Sequence, residues 1–245
     1  LKLGLGAVGV EGIPAFWDLS TRPHGLIVGE TGAGKTHLAR MLIDQASASA
    51  EVWVADGKGG GDFTDSPVAR LALGPTETVD LLDAAAELVS ERMSRLRSTG
   101  QRVTADQPLF VVADELAAVQ LRRRGEDAKE LKDRKERLQG GLGEIALTGR
   151  SARVHLLVLL QRPDADSVPG AVRDQLGLRI ALGWMSLDGY RMVFGSVEIQ
   201  PPRDLGPGHG WISGHSGHRD GPRPITVTES ASEALGTVSK KRGAK

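Results

Sequence analysis

The chain has 245 residues, 31 basic and 31 acidic side chains and no cysteine; 40% of it is hydrophobic and 25% charged. A formal net charge of zero gives no bulk attraction for nucleic acid or for a membrane surface, so any such binding has to come from local patches. The lack of cysteine excludes disulfides, thiolate zinc sites and cysteine nucleophiles and suits a reducing compartment, while the length fits one large domain with a real core.

Apolar β-runs alternate with helical stretches along the chain, the pattern of an α/β fold built on a mostly parallel sheet flanked by helices. Residues 25–28 form the first clear buried strand, and 36–45 follow as a helix with Leu38, Met41 and Leu42 at helical spacing. Strands are expected at 51–55 and 69–73, and a long helix at 76–97, opened by Pro75 and closed near Gly100. A strand at 108–113 leads into helical, heavily charged sequence that runs to Thr148. The run 154–160 is the most apolar strand, 178–182 is the next, and 210–213 with 224–227 read as an edge hairpin. One domain over 1–228 is expected, followed by a polar, frayed tail over 229–245 that ends KKRGAK. No apolar run approaches the roughly 18–20 residues needed to span a bilayer, and no signal peptide is visible, which points to the cytoplasm. The start at Leu1 rather than Met is expected of a piece of a longer protein, in which an anchor elsewhere would put this chain at the cytoplasmic face of a membrane.

Residues 25–36 read GLIVGETGAGKT, and Gly29, Glu30, Thr31, Gly32, Ala33, Gly34, Lys35 and Thr36 fit G-x-x-x-x-G-K-[ST]. Glycines let the backbone wrap closely, so that its N–H groups face phosphate oxygens, and the helix that follows adds its positive end. Lys35 reaches the β and γ phosphates of ATP, and the Thr36 hydroxyl supplies a Mg²⁺ ligand. A chance match in a glycine-rich chain is disfavoured because this one sits between a strand and a helix, the context that the chemistry requires.

LFVVADE ends a buried strand on Asp114 and Glu115. Beside a phosphate loop, Asp114 is placed to hold the hydration shell of Mg²⁺, and Glu115 to polarise the attacking water. The bland alternative, two acids at a helix start, loses weight with the phosphate loop upstream. The second acid favours a hydrolase over a nucleotide switch.

Further on stands GRSARVHLLVLLQRPDADSVPGAVRDQLGLRIAL. From about Gly12 to Gly214 the chain resembles the motor domain of the FtsK/SpoIIIE family of DNA translocases. Four segments carry the resemblance: IPAFWDLSTRPHGLIVGETGAGKT, VADGKGGGDF, VVADELAAV, and the Arg-x-x-x-x-His strand followed by Gln-Arg-Pro. It implies a RecA-like motor that assembles as a hexameric ring around double-stranded DNA, with ATP between neighbouring subunits. It implies further that Arg150 is the arginine finger given to the neighbour's nucleotide, with Arg153 a nearby competitor, and that Gln161 senses the γ-phosphate. Arg162, Arg173 and Arg191 match the family's basic DNA contacts. The sequence departs from the pattern at Gly57, where the family has Pro, at Leu160, where it has Thr, and at Leu187, where it often has Lys. A conjugative plasmid-transfer or chromosome-partition motor is the leading expectation. A type VII-like protein-secretion ATPase and a non-hydrolysing nucleotide-binding assembly module are the alternatives.

The charged stretch 122–137 mixes both signs, with Asp133 and Arg137 at i,i+4, and reads as the solvated face of an inserted helix, with a DNA or subunit contact as the alternative. His155 lies in an apolar strand and reads as a core residue. His209, His215 and His218 stand in a glycine-rich edge segment without the carboxylates that a metal site would want.

Overall fold

The computed structural model describes residues 1–100, 106–163, 167–195, 205–216 and 221–228. Ten strands form a single sheet in the order β2-β1-β10-β9-β8-β3-β7-β6-β4-β5. Six of them make the parallel half: β3 (His24–Gly29), β4 (Glu51–Asp56), β5 (Arg70–Leu73), β6 (Leu109–Asp114), β7 (Val154–Leu160) and β8 (Leu176–Leu182). The other four are β1 (Lys2–Val8), β2 (Ile13–Asp18), β9 (His209–Ser213) and β10 (Arg223–Thr226), and they extend the sheet antiparallel from β8. The mostly parallel sheet with flanking helices matches the expected α/β architecture.

β3 and β7 are buried along their whole length, as expected for central parallel strands covered on both faces. On one face α2 (Pro75–Thr99) and α4 (Ala128–Ala152) pack on each other and on the sheet; on the other, α1 (Lys35–Ser47) buries Leu38, Leu42 and Ile43. α2 starts on Pro75, whose missing N–H costs nothing at that position, and stops at Gly100 in the left-handed region. α4 starts on a capping box: the Asp127 carboxylate accepts from the Lys129 and Glu130 N–H groups, while the Glu130 side chain accepts from the Asp127 N–H.

Three features differ from the sequence reading. β1 and β2 precede the first expected strand, because KLGLGAV buries Leu3, Leu5 and Val8 but dilutes them with glycine, and IPAFWD carries Pro14. The charged helical stretch is broken into α3 (Leu116–Gln120), a connection over 121–127, and α4. Two short helices, α5 (Gly170–Gln175) and α6 (Leu187–Phe194), flank β8.

The stretch 122–137 is more than a solvated face. Arg134 is buried, pairs with Glu126, and donates to the Val119 carbonyl at 2.8 Å and the Leu121 carbonyl at 2.7 Å. Arg137 reaches across to Asp80 and Asp83 on α2, both at 2.7 Å, rather than to Asp133 within its own helix. A charged pattern at helical spacing does not distinguish a partner on the same helix from one on the helix packed beside it. The tail over 229–245 lies outside the described residues, as does His218.

Candidate active site

In a parallel sheet every strand delivers its last residue to the same edge, and here four strands do so around one cavity of about 370 Å³. Thr31, Gly32, Gly34, Lys35 and Thr36 line it from the loop after β3. Asp114 and Glu115 enter from β6, Gln161 from β7, and Asp56, Lys58, Gly60 and Asp62 from the turn after β4. A larger cavity of about 520 Å³ lies between α2 and the start of α4, is lined by Arg123, Glu126, Arg134 and Arg137 among others, and touches none of the phosphate-loop residues. The smaller cavity is therefore the one whose chemistry suits a nucleotide.

α1 begins at Lys35, and its N-cap is Gly34 at φ 100, with no side-chain cap, so that the first-turn N–H groups stay available to an anion. Gly34 is required there for two reasons. Its φ lies in the left-handed region, and a Cβ would stand 3.0 Å from the Gly208 nitrogen, where the N–H of Gly208 donates to the Ala33 carbonyl. Lys35 Nζ donates back to the Gly29 carbonyl at 2.6 Å and the Glu30 carbonyl at 3.0 Å. Burial lowers the pKa of this ammonium, and Asp114, Glu115 and Glu30 pull it back up.

Asp114 shares the edge with Asp56, its register partner on β4. Burial first, and then the carboxylates of Asp56 and Glu115, push the Asp114 carboxyl up to about 7, against the Glu115 backbone N–H and the Lys35 ammonium. Such a crowded acid gains from a cation. A Thr36 hydroxyl and an Asp114 carboxylate lining the same cavity are the two hard oxygen donors that suit Mg²⁺, whose remaining positions go to phosphate and water. Among the described residues no group of three or more His, Cys, Asp or Glu could hold a metal by protein ligands alone.

Glu115 has φ 51, the left-handed region, which costs a residue with a Cβ about 1 kcal/mol or more. In that posture its carboxylate accepts a hydrogen bond from Gln161 Nε2 at 2.8 Å. The structure thus brings the second acid and the polar residue after β7 together. What sequence reasoning left without a role is Asp56. It is 4% exposed, and its carboxylate accepts from the N–H groups of Lys58 at 3.1 Å, Gly59 at 3.0 Å and Gly61 at 3.0 Å. The signal was present, since VAD at the end of β4 repeats the VVAD ending of β6.

The remaining residues of the sequence reading do not join this cavity. Arg150 stands in the last turn of α4, before β7 begins, and donates to the Ser20 carbonyl at 3.1 Å. The seven residues of β7 separate it from the nucleotide edge, about 23 Å at the usual rise. Arg162 follows β7 at the nucleotide edge. Arg191 lies on α6, beyond the end of β8, and pairs with Asp188 at 3.3 Å. Arg173 lies on α5, just before β8 begins, and therefore at the opposite edge of the sheet from Arg162. His155 is buried with Nδ1 3.2 Å from the Pro23 carbonyl, as expected of a core histidine.

Three kinds of similarity bear on this site. The AAA domain family matches residues 18–157. The FtsK domain-containing protein YdcQ of Bacillus subtilis is 29% identical over 192 residues, which cover 74% of this chain and 38% of that protein. The ESX-1 secretion system protein EccCa1 of Mycobacterium tuberculosis is 29% identical over 210 residues, covering 75% of this chain and 28% of its own length. The chain thus spans well under half of either relative. Among solved structures, the pCW3 conjugation coupling protein TcpA, in a monomer form with ATPγS, superposes with a TM-score of 0.75 at 20% identity, over 93% of this chain and 66% of that one.

Proposed function

Because this chain belongs to the AAA domain family and is an FtsK/SpoIIIE-type motor domain with a P-loop ATPase fold, we propose that it converts ATP hydrolysis into movement of double-stranded DNA. The observation that carries the reading is the meeting of Lys35, Thr36, Asp114, Glu115 and Gln161 around one cavity.

Each residue has a task that its position permits. The backbone from Gly29 to Thr36, with the Lys35 ammonium, holds the phosphates of ATP, once Lys35 has exchanged its two carbonyl acceptors for phosphate oxygens. Thr36 and Asp114 would hold Mg²⁺, which when bound neutralises charge on the β and γ phosphates. Glu115 accepts a proton from the attacking water, and Gln161, already bonded to Glu115, orients that carboxylate and responds to the terminal phosphate. Arg150 lies too far from its own cavity to take part, which suits an arginine donated to a neighbouring subunit in a homo-hexameric ring. Arg162 and Arg191 are the proposed DNA contacts; Arg173, expected beside them from the sequence, lies at the opposite edge of the sheet. The motor domain is taken to span 1–228 and to work in the cytoplasm, and no helix among the described residues is long and apolar enough to cross a membrane.

A second reading has its own observation. Trp184, Leu187 and Met192 are 46%, 53% and 54% exposed, and they lie on and beside the helix that would face DNA. An apolar face suits a polypeptide better than a phosphate backbone, and EccCa1 is named as a secretion protein. ATPase assays with duplex DNA, single-stranded DNA and no nucleic acid discriminate the two. Duplex DNA should stimulate hydrolysis severalfold, and Lys35→Ala should abolish it. A wild-type rate indifferent to duplex DNA sinks the DNA motor and leaves the polypeptide reading standing.

A further inference from the structure

The cavity has an imbalance of charge that the phosphate loop does not correct. Its lining carries four carboxylates, Asp56, Asp62, Asp114 and Glu115, against two ammonium groups, Lys35 and Lys58. A nucleoside triphosphate entering it brings further negative charge. Lys35 belongs to the phosphate loop. Lys58 is exposed, lines the same cavity, and its ammonium makes no hydrogen bond or ion pair among the described residues.

The turn that carries Lys58 is fixed with unusual care for a surface loop. The Asp56 carboxylate gathers three of its N–H groups, and the Asp56 carbonyl accepts from Gly59 at 3.0 Å and from Gly74 at 2.8 Å. The turn is also docked on the acidic strand end. The Gly57 N–H donates to the Asp114 carbonyl at 3.0 Å, and a Cβ on Gly57 would stand 2.7 Å from the Glu115 carbonyl oxygen and 2.8 Å from Val119 Cγ2. Only glycine allows that approach. β4 and β6 are neighbours, so the base of the turn stands one strand spacing, about 4.8 Å, from the strand that presents Asp114 and Glu115. Apart from the Asp56 carboxylate these anchors are backbone groups, and none of them involves the Lys58 side chain, which is left with no structural duty.

We propose that Lys58 is a second phosphate-binding cation of the site, whose ammonium contacts the terminal phosphate of the nucleotide bound to its own chain. It differs from Arg150 in being supplied without assembly. It differs from Lys35 in its dependence on the γ-phosphate, the group that a diphosphate lacks. This inference rests on the nucleotide reading proposed above.

The test measures the affinity of the purified chain for ADP and for ATPγS, with Mg²⁺, by calorimetry, in wild type, Lys58→Gln and Lys58→Arg. Thermal melts check that the variants fold, as the backbone anchoring of the turn predicts. Lys58→Gln should weaken ATPγS binding about tenfold, the size of one lost charge-assisted hydrogen bond, and change ADP affinity less than about twofold. Lys58→Arg should restore most of the difference. An unchanged ratio of the two affinities in Lys58→Gln, or an equal loss for both nucleotides, overturns the inference while the nucleotide reading stands. A wild-type chain that binds neither nucleotide overturns both.

Discussion

The two edges of the parallel sheet are built from the same strands and treat charge in opposite ways. At the edge where the strands begin, Arg92 and His24 Nδ1 are satisfied within the chain, while His24 Nε2 is buried without a hydrogen-bond partner among the described residues. Arg92 donates to the Ala152 carbonyl at 2.8 Å and the Gln107 carbonyl at 2.9 Å, and His24 Nδ1 accepts from the Leu156 N–H at 3.0 Å. At the edge where the strands end, carboxylates crowd together, Glu115 sits at positive φ, and the Lys58 ammonium lines the cavity without a partner among the described residues. Removal of water from charges is tolerable where partners are present, and costly where they are not. The second edge is therefore the one that gains free energy from a ligand, and the first edge is the one that holds the fold while it does so.

Arg150 is the exception at the first edge, and it gives the largest expected effect. It is exposed and among the described residues its side chain holds one hydrogen bond, to Ser20, so Arg150→Ala should leave the unfolding free energy within about 0.5 kcal/mol of wild type. If it serves a neighbour, the same change should lower kcat in the assembled protein by about 10³. A mixing experiment locates its target. Lys35→Ala and Arg150→Ala should each be nearly inactive, but in mixed rings an intact phosphate loop can meet an intact arginine, and activity should return in part. No recovery on mixing would mean that the arginine acts on its own chain or not at all, and the contrast between the edges would lose its functional half.

A smaller effect tests the closed character of the first edge directly. His24 is fully buried, and burial, helped by the nearby His155, lowers its pKa to about 3; burial likewise holds His155 at about 4. A histidine whose folded pKa lies below its unfolded value of 6.5 stabilises the fold fully above about pH 6.5, and that contribution is lost as pH falls from there toward the folded pKa, because the unfolded chain takes the proton first. Between pH 7 and pH 5, His24 alone should cost the protein about 2 kcal/mol. Urea unfolding at the two pH values measures it. His24→Asn, which keeps an acceptor for Leu156, should lose about 2 kcal/mol less over the same interval, and parallel losses in the two proteins would refute the assignment.

The unequal legibility of the two edges follows from the same contrast. The phosphate loop and the acidic pair could be read because each binds through local sequence: one turn, or one strand end. Their convergence was legible too, since a parallel sheet sends strand ends to one side. Asp56 escaped although β4 ends in VAD as β6 does, because its partners are backbone N–H groups, which name no task for its side chain. The antiparallel wing was half read. β9 and β10 showed as a hairpin, but β1 and β2 are held by packing of Leu3, Leu5 and Trp17 that their glycine and proline content obscures. The destination of Arg137 was illegible for another reason: Asp80 and Asp83 lie more than fifty residues earlier in the chain, and only the packing of α2 on α4 brings them within reach.

The smallest expected effect separates three arginines that the sequence treats alike. Arg162 and Arg191 follow the ends of β7 and β8, whereas Arg173 precedes the start of β8, a strand's length away. If duplex DNA is held at the edge that binds nucleotide, the three do not share one backbone path. Arg162→Glu should weaken duplex binding severalfold and lower the salt slope by about one counterion. Arg191→Glu should act in the same direction but less, because Asp188 at 3.3 Å already offsets part of that charge. Arg173→Glu should leave affinity within about twofold of wild type. Salt titrations of fluorescent duplex binding resolve all three. An effect of Arg173 as large as that of Arg162 would put DNA along both edges and remove the division of labour between them. No effect of any of the three would shift the substrate toward the polypeptide that the exposed Trp184, Leu187 and Met192 favour.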